Sequence, residues 1–462
     1  MENIDSKASN IFMSASGNDE TGDGTISNPY LSLKKCQEEA KEGDIVYIRG
    51  GIYKNFEIAE ESKIYNYIHK FTKSSITYKS YNSEEVIFDF EFLERYKLKD
   101  NKPTQRVAGF YIPEGIHDIT FEGFSITRIP VLTFEEVEKL GEKLLTQSEC
   151  IQSRGKNILF NRIKSYNNNA KGFYFTGKKS YNIAYRCDSF NNHGFDKASL
   201  GNTDGFDGHG TGAEFIECRA WDNSDDNFDC IDSYGSNLYD SCWAFRINYK
   251  DKDIDCGMGF KIGGWGKNAN AKSKYSKYSG ENPPVHIVKN CISANNKGNG
   301  FYANHQPGQA AVWFNNRAYK NKANFDMIEG SENWELDEKG KVKDICGTRE
   351  VLFFNIAHRF NKKLKNNDSM YGTEGNLYNA NIPDENNQFN SWNYRDLNIK
   401  DDDFISVDWN ELAGERGPDG SLPNINFMKL NPKSSNYKIL KSIEDEMKNY
   451  EITKDNVKKI SK

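Results

Sequence analysis

The chain has 462 residues, of which 37% are hydrophobic and 13% aromatic, so it carries enough apolar material for a large folded core and is not a disordered chain. Lys and Arg number 61 against 67 Asp and Glu, a formal charge of −6, which argues against a general nucleic-acid binder because such proteins meet phosphate with a basic surface. No run of about 18 apolar residues occurs and Met1 to Asn10 is polar, so neither a membrane span nor a signal peptide is visible.

At the start of the chain, Gly17 to Pro29 is a turn-rich loop. Leu33, Cys36 and Ala40 then fall on one helical face ahead of Gly43, and Ile45 to Ile48 reads as a strand. A short helix here would cap an open sheet edge that otherwise invites aggregation. Tyr53 to Lys73 and Pro130 to Cys150 read as lateral loops that wall a cleft, with a helix over Phe134 to Leu145.

Between Asn157 and Asn361 a unit recurs: a small residue, a bulky one, any residue, then Asn. The small positions are Ser165, Ser189, Ala220, Ala244, Ser293, Ala318 and Ala357, separated by 24, 31, 24, 49, 25 and 39 residues. That spacing fits a turn of about two dozen residues with loops inserted in three rungs, the length of a parallel β-helix coil. Two positions earlier stand Ile163, Cys187, Cys218, Cys242, Cys291, Asn316 and Asn355, on the same inward face because strand side chains alternate. Three positions later stand Asn168, Asn192, Asn223, Ile247, Asn296, Asn321 and Phe360, mostly an amide ladder at a turn. Every rung repeats one order of residues with one polarity, so the strands are parallel, and the crossover rule makes the coil right-handed. A leucine-rich solenoid is the competing form, but Leu is sparse in this region.

The expected fold is therefore all-β: a right-handed parallel β-helix with an N-terminal capping helix and lateral loop insertions. It is read as one catalytic domain over 1–462, with cap and first rung at about 10–55, coil rungs at about 56–395, and C-terminal loops and cap at about 396–462. A final helix is expected over Ser442 to Lys459. The four cysteines of the inward column read as packing residues, and no C-x-x-C pair suggests zinc. A disulfide involving Cys230, Cys256 or Cys346 stays open.

A second alignment carries the chemistry. Phe173, Phe206, Phe228, Phe260, Phe301 and Phe325 form one column, and the next position reads Tyr174, Asp207, Asp229, Lys261, Tyr302 and Asp326 on the opposite, outward face. Asp204 and Asp226 lie two positions before the Phe column. Adjacent rungs are about 4.8 Å apart, so Asp204, Asp207, Asp225, Asp226 and Asp229 crowd together with Lys261 in register. Carboxylates this close repel unless a cation joins them, and calcium takes six to eight oxygens from flexible carboxylate sets. The plain alternative is an acidic ladder exposed to water.

The segments Asn223–Asp229 (NSDDNFD), Cys218–Trp221 (CRAW), Gly259–Gly264 (GFKIGG), Gly300–Gly308 (GFYANHQPG) and Gly43–Tyr53 (GDIVYIRGGIY) resemble polysaccharide lyase family 9 over most of the chain. That resemblance implies a right-handed parallel β-helix that cleaves uronic-acid polysaccharides by β-elimination. It implies calcium held by Asp225, Asp226 and Asp229, with Asp204 as fourth ligand and Lys261 as base; Asp207, in the same loop as Asp204, is a possible additional ligand. Arg246, Asn304, His305 and His209 are candidate substrate contacts.

Two other classes stay in view. N-T-D-G at Asn202–Gly205, the Asp225–Asp226 pair, G-H-G at Gly208–Gly210 and R-I-K at Arg162–Lys164 resemble glycoside hydrolase family 28, although that family places the last two motifs after its aspartate pair and here both precede it. A non-catalytic carbohydrate-binding β-helix would need aromatic platforms and no lysine beside an ion site. Five basic residues between Gly201 and Gly266 (Arg219, Arg246, Lys250, Lys252 and Lys261), set among Trp221, Tyr234, Tyr249 and Trp265, lean toward rhamnogalacturonan I over homogalacturonan. The expected partner is an acidic plant polysaccharide, with no nucleic acid or membrane span, for a monomer acting in a periplasm, at a cell surface or after secretion.

Overall fold

In the computed structural model, the residues described are 9–54, 56–62, 64–95, 106–130, 148–194, 201–210, 212–231, 233, 235–245, 257–263, 284–304, 310–330, 335–340, 344–346, 350–359, 376–377 and 399–456. The chain forms a right-handed parallel β-helix that divides into two compact units, Met1–Thr203 and Asp204–Lys462. Among the described residues no helix is long and apolar enough to cross a membrane.

In the first unit a capping helix, Leu33–Glu39, begins at Ser32, whose side chain accepts from the Lys35 amide, and buries Leu33 and Cys36. Three stacks of parallel strands follow. The first runs from Asn10–Met13 through Ile45–Ile48 and Thr77–Ser80 toward Leu159–Asn161. The second places Tyr53, Phe88, Ile126, Ser165 and Ser189 in one inward column. The third pairs Tyr65–Lys70, Arg106–Ile112, Ser148–Ser153 and Ala170–Phe175. Two segments read as lateral loops thus contain strands, Tyr65–Lys70 and the start of Ser148–Ser153. Their inward positions are His69 and Ile151 where other rungs carry Phe, so the Phe signal was absent. The helix expected at Phe134 to Leu145 lies outside the described residues.

The second unit repeats the plan. Its second stack aligns Ala220, Ala244, Ser293, Ala318 and Ala357, and its third aligns Phe206, Phe228, Phe260, Phe301 and Phe325. Those five rings stack at centroid separations of 5.0, 4.7, 5.0 and 4.9 Å. Each is buried, which contributes roughly 2–3 kcal/mol per ring. The stack holds the neighbouring position of every rung at a fixed height.

Corners between stacks use left-handed backbone, at Arg186, Glu217, Ser241, Asn290 and Asn315 before the second stack and at Asn191, Asp222 and Asn295 after it. Asn and Asp tolerate this conformation best because the short side chain bonds locally. The next Asn turns inward and joins the amide ladder: Asn168 Nδ2 donates to Asn192 Oδ1 at 2.9 Å in the first unit, and Asn296 Nδ2 to Asn321 Oδ1 at 2.9 Å in the second. Arg162, in the R-I-K motif, is itself a corner residue, and its guanidinium bonds Glu122 at 2.6 Å.

Cys187, Cys218, Cys242 and Cys291 are fully buried, as packing residues should be. Cys230 is free, and its sulfur accepts from the Gly263 amide at 3.1 Å; Cys256 lies outside the described residues. The final helix spans Tyr437–Met447, beginning five residues earlier than expected and ending well short of the expected Lys459, with Lys448 to Asn456 in turns and irregular backbone. Its start is set by an apolar stripe of Leu440, Ile443 and Met447 that packs on the coil, with Leu440 joining Phe245, Ile292 and Tyr319 in one cluster. The last positions of the expected helix, Val457 to Lys459, lie outside the described residues.

Candidate active site

The third stack of the second unit sets the site. Because Phe206, Phe228 and Phe260 point inward, Asp207, Asp229 and Lys261 share the opposite face in adjacent rungs. Gly259 allows this spacing, since a Cβ there would lie 2.1 Å from Ser293 Oγ and 2.5 Å from the Gly300 carbonyl oxygen. The motif that contains Lys261 therefore begins with glycine for a packing reason.

The acidic residues are not an exposed ladder. Asp204, Asp207, Asp225, Asp226 and Asp229 are all at most 4% exposed. One oxygen each from Asp204, Asp225 and Asp226 lie within 4.8 Å of one another. Asp204 Oδ1 accepts from the Asp226 amide at 3.1 Å, and Asp226 Oδ1 accepts from the Met258 amide at 2.8 Å. Asp225 Oδ1 is buried and has no hydrogen-bond partner among the described residues. Such an oxygen costs about 1–3 kcal/mol unless something meets it. Oxygen-only donors with one acceptor left over fit a hard divalent cation such as calcium.

Asp229 falls into a different group, with ligand atoms of Asp207 and His209 within 4.8 Å. Lys261 joins the two groups: its Nζ donates to Asp226 Oδ2 at 2.8 Å and to Asp229 Oδ2 at 3.1 Å. Burial pushes the Asp225 carboxyl well above the ordinary carboxylate range, with Asp226 and Asp204 adding repulsion. Burial likewise raises Asp226, to about 6, although Lys261 opposes the rise. For Lys261 burial acts to lower the pKa, but Asp226, Asp229, Asp225 and Asp204 outweigh it and hold the ammonium well above its usual range. Without another cation Lys261 is an ion-pair partner and not a base.

Of the candidate substrate contacts, His209 sits near Asp207, with Nε2 to Oδ2 at 3.9 Å. Asn304 has left-handed backbone and donates to the Gly263 carbonyl at 2.8 Å, which ties the loop after Lys261 to the next rung. Arg246 and His305 lie outside the described residues. Two of the residues weighed for substrate preference are committed elsewhere: Arg219 donates to the Leu412 and Gly414 carbonyls, and Trp221 stacks on Phe245 at 5.3 Å. The backbone donors Met258 and Ile231, the latter 2.9 Å from Asp229 Oδ1, went unrecognised because any residue type can supply an amide. Glycines at 257 and 259 were the available hint.

The class these features define is a parallel β-helix whose third strand stack carries a buried acid cluster bridged by one lysine. The family described as Pel9A-like, right handed beta helix region, matches residues 11–340, and the chain belongs to it, a polysaccharide lyase of the family 9 type. Pectate lyase L of Dickeya chrysanthemi is 24% identical over 92% of this chain and 84% of its own length. A solved rhamnogalacturonan lyase is 26% identical with a TM-score of 0.69, covering 92% of this chain and 97% of that one. The crystal structure of pectate lyase Pel9A, at 22% identity and TM-score 0.65, covers 93% and 91% and shares the fold.

Proposed function

We propose that this protein is a calcium-dependent lyase that cleaves pectic uronic-acid polymers by β-elimination, with the rhamnogalacturonan I backbone favoured over homogalacturonan. The observation that carries the reading is the placement of Lys261 Nζ, 2.8 Å from Asp226 and 3.1 Å from Asp229 within a buried acidic cluster. Asp204, Asp225, Asp226 and Asp229 would hold the ion. Bound there, calcium supplies charge to the uronate carboxylate as the neighbouring C–H ionises, and offsets the field that keeps Lys261 protonated.

Lys261 then takes the proton α to the carboxylate, and the electron pair expels the 4-linked sugar oxygen to leave an unsaturated uronide. Solvent protonates the departing oxygen. Amide donors from Met258 and Ile231 fix Asp226 and Asp229, so the lysine faces carboxylates that cannot swing away. Inverting hydrolysis needs two carboxyls roughly 6.5–9.5 Å apart with water between. One oxygen each from Asp204, Asp225 and Asp226 lie within 4.8 Å of one another, closer than that spacing, which speaks against inverting hydrolysis at this cluster.

Support for rhamnogalacturonan I comes from the solved rhamnogalacturonan lyase at 26% identity. The pectate lyase relative at 24% favours homogalacturonan as second reading. Such polymers do not enter cells intact, so the protein acts outside the cytoplasm. Incubation with each polymer, with and without calcium, tests the whole reading: unsaturated product should form only with calcium. Saturated product, or full activity in chelator, would overturn it.

A further inference from the structure

We propose that Lys261 is also the resident counter-cation of the acidic cluster, holding Asp226 and Asp229 in the absence of metal, so that a divalent ion gains those carboxylates only by displacing the lysine. This rests on the calcium reading above and adds a role that a base alone would not have.

Three observations carry it. Both Lys261 contacts use carboxylate oxygens, Asp226 Oδ2 and Asp229 Oδ2, of two residues proposed above to hold the ion. The remaining oxygens of the same two side chains already accept from the Met258 and Ile231 amides. Asp226 and Asp229 therefore have no oxygen clear of a protein donor while the lysine stays. Meanwhile Asp225 Oδ1, buried and with no hydrogen-bond partner among the described residues, marks where the arrangement stops short of satisfying the cluster.

A single ammonium meets two of the carboxylates and leaves the rest, whereas a divalent ion with more coordination sites can meet the set. The lysine thus keeps the ion-free protein folded around buried acids at the expense of metal affinity. The same displacement frees its amine from both carboxylates when the ion arrives. Metal affinity and the position of the amine become two readings of one exchange.

The test is calcium titration calorimetry on the full chain and on K261M and K261R. Lys261→Met removes the competing charge and should tighten calcium binding at least tenfold, while lowering the melting temperature in chelator; Lys261→Arg keeps the charge and should not tighten binding. In the unaltered protein, reductive methylation of Lys261, read by mass spectrometry, should rise when calcium is added, which needs no variant to fold. Equal or weaker calcium binding by K261M, or labelling that ignores calcium, would overturn the exchange while leaving the calcium reading intact. Absence of calcium binding in every form would overturn both.

Discussion

Each unit buries acid along its third strand stack, and the two do so differently. In the first unit Glu149 has partners of its own: Tyr65 donates to its Oε1 at 2.9 Å and Arg106 stands 3.8 Å away. In the second, among the described residues, Lys261 is the lysine that faces Asp204, Asp225, Asp226 and Asp229 together. One acid beside one cation is balanced in charge, although Glu149 Oε2 is buried and has no hydrogen-bond partner among the described residues. Several acids per cation leave charge to be met from outside, and that ratio, more than burial, separates a site from a packing solution.

The sharpest break in the comparison comes from the lysine. Lys261→Ala should cut turnover by about 10³-fold or more while the polymer still binds, because the variant loses the base proposed above and leaves the rest of the chain unchanged. Product absorbance and a binding isotherm measured together check this. A carbohydrate-binding module without chemistry would be indifferent to the change.

Next in size is Asp225→Asn. Removing one of several crowded carboxylates should stabilise the chelated protein by about 1 kcal/mol or more, yet weaken calcium binding at least tenfold. The effects have opposite signs only if Asp225 is held for a ligand. Melting curves with chelator and with excess calcium give both numbers, and a loss of stability in chelator would place Asp225 with Glu149 as a structural acid.

Glu149 supplies the reverse case. Burial pushes its carboxyl up to about 7, against the pull of Arg106 and Tyr65. A raised carboxylate pKa means that the charged form is less welcome in the fold than in the unfolded chain, so the penalty is absent below the unfolded value near 4.5 and complete above about 7. Glu149→Gln should therefore stabilise the protein by up to about 3 kcal/mol at pH 8 and have little effect at pH 4. Calcium should not alter that difference, as it would for Asp225→Asn.

How much of this could be read beforehand depended on which positions repeat. Ser165, Ser189, Ala220 and Ala244 are small because rings fill the interior beside them, and a small column at near-constant spacing is visible in one dimension. Earlier rungs put Tyr53, Phe88 and Ile126 at the same position, so the pattern vanished there although the backbone is the same. The pairing of Asp229 with Lys261 was legible because a parallel register fixes which side chains share a face. Lys261 bridging Asp226 as well as Asp229, and Asp229 grouping with His209, depend on side-chain reach across rungs, which spacing does not encode. The aromatic count as a guide to substrate preference failed at Trp221 because a ring useful for stacking on sugar is equally useful for stacking on Phe245.

The smallest expected effect sharpens the comparison most finely. Both units run an amide ladder, and replacing either Asn168 or Asn296 with Leu leaves neighbouring amides without partners, a loss of about 1–3 kcal/mol each. Asn168 meets Ser165 and Asn192 and nothing acidic among its hydrogen-bond partners. Asn296 accepts from Asn227 at 3.0 Å, and Asn227 follows Asp226 in the chain, so its loss loosens the turn that aims Asp225 and Asp226. Asn168→Leu should lower the melting temperature alone, whereas Asn296→Leu should lower it similarly and weaken calcium binding a further few-fold. Equal calcium affinity in the two variants would mean that the turn is held by the Phe stack and the Gly205 and Phe206 amide bonds to Asp226 and Asn227, with the ladder contributing only to stability.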